Sequence, residues 1–168
     1  YTSKESTDLA RRLIKNLGIN GHEFSITEHF NYYNKHFSKV FNLKDDGFVQ
    51  ENMQARLRGL SLMAFSNFKN SLLINTSNKS EFAVGYSTLY GDMAGALCPI
   101  GDLTKTEVYG LARWYNKEHE LIPQRIIDRE PTAELRANQK DSDSLPKYSK
   151  LDPAVKKIVE EFKSANSS

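Results

Sequence analysis

The 168 residues combine 39% hydrophobic with 26% charged side chains at a mean hydropathy of -0.58, which excludes collagen-like, disordered and membrane classes and leaves a core-forming domain. Lys plus Arg number 23 against 21 Asp plus Glu, a net charge of +2, too little to hold nucleic acid through phosphate contacts, so any anion site must be local. The single cysteine, Cys98, rules out an internal disulfide and points to a reducing, cytoplasmic setting, while no apolar run approaches the roughly 20 residues that cross a bilayer.

The chain opens on Tyr1 rather than Met and reads as a piece of a longer polypeptide. Thr7 and Asp8 precede Leu9, Leu13, Ile14 and Leu17 at helical spacing, and Gly18 stands where a left-handed cap closes a first helix. Residues 22–27, with Phe24 and Ile26 in alternation, read as a short strand. The aromatics Phe30, Tyr32, Tyr33, Phe37 and Phe41 form a short helix running into an exposed loop at Lys44, Asp45, Asp46 and Gly47. Met53, Leu57, Leu60 and Ala64 share one face, which predicts a long helix over 50–67.

Leu72, Leu73 and Ile74 follow directly, a brief apolar run of the kind buried on both faces in a parallel sheet. Asn78 with Glu81 three residues on resembles a capping arrangement, and Gly85 closes a helix of under two turns. Residues 86–103 make a long loop of the kind that is usually functional. Thr104-Lys105-Thr106-Glu107 is a capping box that opens an amphipathic helix through Val108, Leu111, Ala112 and Tyr115. After an irregular stretch over 123–151, Asp152 as N-cap and Pro153 at the first position open a last helix with Val155, Ile158, Val159 and Phe162 inward, before a fraying end at 164–168. The order predicts an α/β domain with a parallel sheet whose other strands lie upstream of Tyr1.

Ligands of open α/β sheets gather beyond the carboxyl ends of the strands, which here means the stretch from Thr76 to Glu81. Glu81 either ligates a magnesium ion bridging phosphates or only caps its helix. Asn52 and Arg56 are four apart on one helix face, and Arg56 and Arg58 read as solvated or interface charges against anion ligands. Gly59, at a cost of about 1 kcal/mol inside a helix, implies close approach by another backbone, a ligand or a second subunit. Lys105 sits in a first helical turn, where the dipole disfavours a cation unless a phosphate joins it, with an ordinary surface lysine as the alternative. The histidines His22, His29, His36 and His119 are scattered and offer no triad.

The stretches Glu51-Asn52-Met53-Gln54-Ala55-Arg56-Leu57-Arg58, Asn75-Thr76-Ser77-Asn78-Lys79-Ser80-Glu81 and Gly85-Tyr86-Ser87-Thr88-Leu89-Tyr90-Gly91-Asp92-Met93-Ala94-Gly95 together resemble the NAD synthetase family. The likeness continues through Lys105-Thr106, Pro131-Thr132-Ala133-Glu134-Leu135 and Asp143-Ser144-Leu145-Pro146. It implies a Rossmann-like ATP pyrophosphatase fold (adenine nucleotide alpha hydrolase-like), with residues 1–168 forming part of one synthetase domain that is incomplete at its N-terminus. It also implies ATP-dependent amidation of deamido-NAD through an adenylate, with ammonia from glutamine or free.

By the same resemblance Thr76, Lys105 and Thr132 contact ATP, Glu81 holds Mg²⁺, and Asn52, Arg56, Glu81, Tyr86, Ser87, Thr88 and Leu89 meet deamido-NAD. The family's Ser-Gly-Gly-x-Asp-Ser phosphate loop is absent from the sequence, so by family order it precedes Tyr1, and these residues alone are expected to be inactive. Leu89 and Ala96 stand where ammonia-dependent members tend to carry Lys and Asp, which resembles the glutamine-dependent branch. A homodimer is expected near the Gly59 helix. The rivals are another amidating ATP pyrophosphatase, GMP-synthetase-like, and a non-catalytic nucleotide-binding module.

Overall fold

A computed structural model describes residues 2–43 and 47–162. The expected loop residues Lys44, Asp45 and Asp46, and the expected fraying end at 164–168, lie outside them. The described residues fold into seven α-helices: α1 (Lys4–Leu17), α2 (Thr27–Phe41), α3 (Phe48–Lys69), α4 (Lys79–Val84), α5 (Lys105–Tyr115), α6 (Gln124–Asp128) and α7 (Tyr148–Val159), with a 3-10 turn at Asp141–Asp143. They divide into two compact units. The first holds Tyr1–His22, Asn78–Val84 and Ile100–Ser168, and the second Glu23–Ser77 and Gly85–Pro99.

In the first unit α5 packs with α4, α6 and α7, and α4 also meets α7, around the buried Ile127 and Val155. The first helix starts a turn earlier than expected. Ser3 rather than Thr7 or Asp8 is its N-cap, accepting from the Ser6 N–H at 3.1 Å, because a hydroxyl just ahead of the first free N–H groups satisfies one of them. Gly18 ends it in the left-handed conformation (φ 62) as expected. Residues 22–27 are not a strand: 19–26 carry no regular structure, and Phe24 is exposed, since alternation alone supplies no neighbour to pair with.

In the second unit α2 packs on α3. The aromatic helix is longer than expected, for Tyr33–Phe37 and Phe37–Phe41 ring contacts at 5.7 and 5.6 Å run up it at one-turn spacing. The expected sheet reduces to one parallel bridge, Ile74 with Leu97, among the described residues. The Asn75 N–H donates to the Leu97 carbonyl and the Ala96 N–H to that of Leu73, both at 2.8 Å. Leu72 and Ile74, expected to be buried on both faces, are exposed.

Candidate functional site

In the first unit, the starts of α4 and α5 are bonded to one another. Asn78 and Glu81 cap α4 reciprocally: the Glu81 N–H donates to Asn78 Oδ1, and the Asn78 N–H to Glu81 Oε2, each at 3.1 Å. The capping reading of Glu81 is therefore realised, yet the carboxylate still has its other oxygen, which accepts from Lys105 Nζ at 2.9 Å. Both side chains are about four-fifths buried, at 18% and 19% exposure. Such a pair gains more from Coulomb attraction than a surface pair does.

The backbone that carries Lys105 is pinned as well. Its N–H donates to Ser80 Oγ at 2.9 Å, the Ser80 hydroxyl donates to Asp152 Oδ1 at 2.6 Å, and the Thr106 N–H donates to Asp152 Oδ2 at 2.7 Å. Two N–H groups of the α5 N-terminus are thus taken by side chains. This corrects the expectation that a phosphate would settle on those amides beside Lys105, and leaves the ammonium as the anion-seeking group. It also corrects Asp152, which lies inside α7 and serves α4 and α5 instead of capping its own helix; a buried carboxylate goes where donors are. The Lys105 ammonium lies 5.5 Å from the centre of the Tyr148 ring, and the Tyr148 hydroxyl donates to Asp141 at 2.8 Å.

One turn on, Glu107 completes the predicted capping box, its Oε2 accepting from the Thr104 N–H and hydroxyl at 2.8 Å each, while Lys156 donates to Oε1. Lys156 first, and then the Thr104 donors, hold the Glu107 carboxyl down at about 2. Thr132 lies in the loop after α6, where its hydroxyl accepts from the Glu134 N–H at 3.1 Å. No hydrogen bond joins it to Lys105 or Glu81.

In the second unit, α3 meets the loop that follows residue 85. Asn52 Oδ1 accepts from the Thr88 hydroxyl at 2.8 Å, the Thr88 N–H donates to Asp92 Oδ1 at 2.8 Å, and Arg56 Nε donates to the Leu89 carbonyl at 3.1 Å. The expected substrate residues Asn52, Arg56, Thr88 and Leu89 are therefore brought together. Tyr86 and Ser87 are half-buried beside them in sequence, and Thr76 is exposed.

Gly59 explains the intimacy. A Cβ there would lie 2.9 Å from the carbonyl oxygens of both Tyr90 and Gly91, and one on Gly91 would lie 2.9 Å from Ala55. The close neighbour is this chain's own backbone, so the glycine no longer argues for a second subunit. Alongside opens a cavity of about 760 Å³ that Arg56, Leu60, Met63, Leu72, Leu89 and Tyr90 help to line.

Sequence reasoning gave no role to Asp92, Asn75 or Cys98. Asn75 Oδ1 accepts from the Ser77 N–H at 2.7 Å, and the Cys98 thiol is shared between Asn75 Oδ1 at 3.3 Å and the Ser77 carbonyl at 3.0 Å. A Cβ on Gly95 would lie 2.6 Å from the Asn75 nitrogen. The Asn75-to-Ser77 half of this turn is a local signal that a sequence can offer; the rest is long-range. No group of three or more His, Cys, Asp or Glu side chains able to hold a metal occurs among the described residues, and no helix there is long and apolar enough to cross a membrane.

A family model described as NAD synthase matches residues 1–167. Among curated relatives, the glutamine-dependent NAD(+) synthetase of Thermotoga maritima is 47% identical over 163 residues, 96% of this chain and 28% of that protein. Among solved structures, a glutamine-dependent NAD+ synthetase from Acinetobacter baumannii in complex with adenosine diphosphate aligns at a TM-score of 0.73 and 35% identity, covering 98% of this chain and 29% of that one. NMN synthetase from Francisella tularensis aligns at 0.81 and 26% identity, covering 98% and 64%. The chain spans under a third of the length of the curated relatives it matches. The family match over nearly every residue, on motifs whose side chains pair as described, places this chain in the NAD synthase family.

Proposed function

We propose that residues 1–168 form part of one synthetase domain that amidates deamido-NAD to NAD at the expense of ATP. In this reading Lys105, Thr76 and Thr132 contact ATP. Asn52, Arg56, Glu81, Tyr86, Ser87, Thr88 and Leu89 contact deamido-NAD. The substrate carboxylate attacks the α-phosphorus, pyrophosphate leaves, and ammonia then displaces AMP with loss of a proton. Ammonia comes from glutamine, in keeping with the names of the curated relatives. The domain belongs to the Rossmann-like ATP pyrophosphatases, with the Ile74–Leu97 bridge as part of its parallel sheet, and works in the cytoplasm as a homodimer.

The observation that carries the reading is the Lys105–Glu81 pair, a lysine and a carboxylate 2.9 Å apart and largely buried. An arriving triphosphate offers the ammonium a stronger anionic partner and frees the Glu81 oxygen. One carboxylate suits Mg²⁺, which takes few protein ligands when phosphates supply the others, so Glu81 fits as this chain's contribution to such an ion. The ion would supply neutralisation of charge on the departing pyrophosphate. Lys105 adds a fixed positive charge, and Asn52 and Arg56 orient the dinucleotide, with the apolar cavity beside Arg56 as cover for a base.

The test is pyrophosphate release by the complete polypeptide with ATP and glutamine or ammonium. Deamido-NAD should exceed xanthosine monophosphate in kcat/KM by about a hundredfold or more, since unmatched polar groups discriminate strongly. Lys105→Ala should raise the KM for ATP about tenfold, the loss of one charge-assisted contact. Preference for xanthosine monophosphate would reject the reading in favour of a GMP-synthetase-like enzyme, and release with neither in favour of a non-catalytic module. A second reading, synthesis of NMN, is favoured by the 0.81 TM-score to NMN synthetase, and nicotinate mononucleotide in the same assay decides between them.

A further inference from the structure

We propose that α7 positions the ATP-binding lysine, with Asp152 fixing the backbone from which Lys105 springs and Tyr148 supporting its ammonium. This rests on the reading of Lys105 as an ATP contact and goes beyond it to residues that touch no substrate.

Asp152 is 2% exposed, and taking a carboxylate that far from water is costly unless its oxygens are occupied. Both are. Because the Ser80 hydroxyl already accepts from the Lys105 N–H, its own hydrogen must go to Asp152 Oδ1, so the direction of the chain is fixed: Lys105 N–H to Ser80, Ser80 to Asp152. The second oxygen holds the Thr106 N–H. One side chain from α7 therefore locks the residue preceding Glu81 to the residues on which Lys105 and Thr106 stand, and sets the separation of the two side chains that follow. An amide in its place could accept at one oxygen only and would turn an NH₂ toward the other donor.

Tyr148 lies four residues before Asp152, on the same face of α7. Its ring is 5.5 Å from Lys105 Nζ, within the range of a cation–π contact, and its hydroxyl is tied to the buried Asp141. The lysine thus has a charged partner, Glu81, that a phosphate can replace, and an uncharged one that need not be given up when the ammonium turns to the nucleotide. Holding a long flexible side chain near its working position lowers the ordering cost of binding.

The test uses the complete polypeptide and measures the KM for ATP and for deamido-NAD separately. Tyr148→Leu should raise the KM for ATP about fivefold, the scale of one partly desolvated cation–π contact, while the KM for deamido-NAD stays within about twofold. Tyr148→Phe, which keeps the ring, should leave both within that same margin. Asp152→Asn should raise the KM for ATP about tenfold, as expected for a buried donor left unsatisfied, and, because Asp152 also holds the residue before Glu81, the KM for deamido-NAD with it. On a Lys105→Ala background, Tyr148→Leu should add nothing.

If Lys105→Ala leaves the KM for ATP unchanged, the reading of Lys105 fails and the positioning role falls with it. If Lys105→Ala raises it but Tyr148→Leu does not, or moves both KM values together, or if Phe is as harmful as Leu, the positioning inference alone is overturned. Should Asp152→Asn not fold, the two Tyr148 variants decide the matter.

Discussion

Lys156 donates to one oxygen of Glu107, and the N–H and hydroxyl of Thr104 hold the other, so the carboxyl of Glu107 is drawn from 4.5 to about 2. A depressed carboxyl contributes stability that is fully present above its unfolded value and is lost as the pH falls toward the folded one. The penalty of Glu107→Gln, measured by urea unfolding, should therefore be constant above pH 4.5 and shrink between 4.5 and about 2. A penalty unchanged across that window would mean the three donors do not hold the ionised form. Thr104, with no exposed surface, makes the same point about legibility. Its capping box could be read from four letters because the partners are three residues apart, whereas the pairing of Asp152 with Ser80 spans 72 positions and leaves no local trace.

Helix α3 and the loop over 88–95 approach through glycine, and two helical glycines with different surroundings, Gly59 and Gly110, give opposite predictions. At Gly59 an added Cβ would meet two carbonyl oxygens at 2.9 Å, backbone atoms that cannot rotate away, so Gly59→Ala should destabilise by about 1–3 kcal/mol. It should also raise the KM for deamido-NAD, because the displaced loop carries Thr88 and Leu89. At Gly110, inside α5, nothing lies within 4 Å, and Gly110→Ala should stabilise by about 0.5–1 kcal/mol. Thermal unfolding of both variants checks the signs, and equal effects would refute the packing account.

The helices α1, α3, α4 and α5 were readable, since caps, period and stop residues all lie within the element. The strands were not. Leu72, Leu73 and Ile74 have the composition of a buried strand, but a strand is defined by what pairs with it, and only Leu97 does so here among the described residues. Asn52 with Thr88 and Arg56 with Leu89 came from resemblance, because no periodicity links positions 36 and 33 apart.

Across the whole molecule the proposed contacts draw on both units: Lys105 and Thr132 for ATP and Glu81 for deamido-NAD fall in the first, and Asn52, Arg56 and the residues from Tyr86 to Leu89 for deamido-NAD and Thr76 for ATP fall in the second. Amide hydrogen exchange on the complete polypeptide should accordingly show ATP slowing exchange around residues 76 and 104–107, and deamido-NAD slowing it around 52–59, 81 and 86–92, since bound ligand suppresses local opening. ATP leaving 104–107 unprotected, or deamido-NAD leaving 52–59 and 86–92 unprotected, would break these assignments. The sulfhydryl at position 98 has a practical corollary. It is the sequence's sole thiol, and alkylating it would cost the turn at 75–77 its two S–H contacts. Because the thiol is already partly open to solvent, the pace at which a maleimide or iodoacetamide attaches there gauges how firmly the turn grips the sulfur, and no reporter need be introduced to read it.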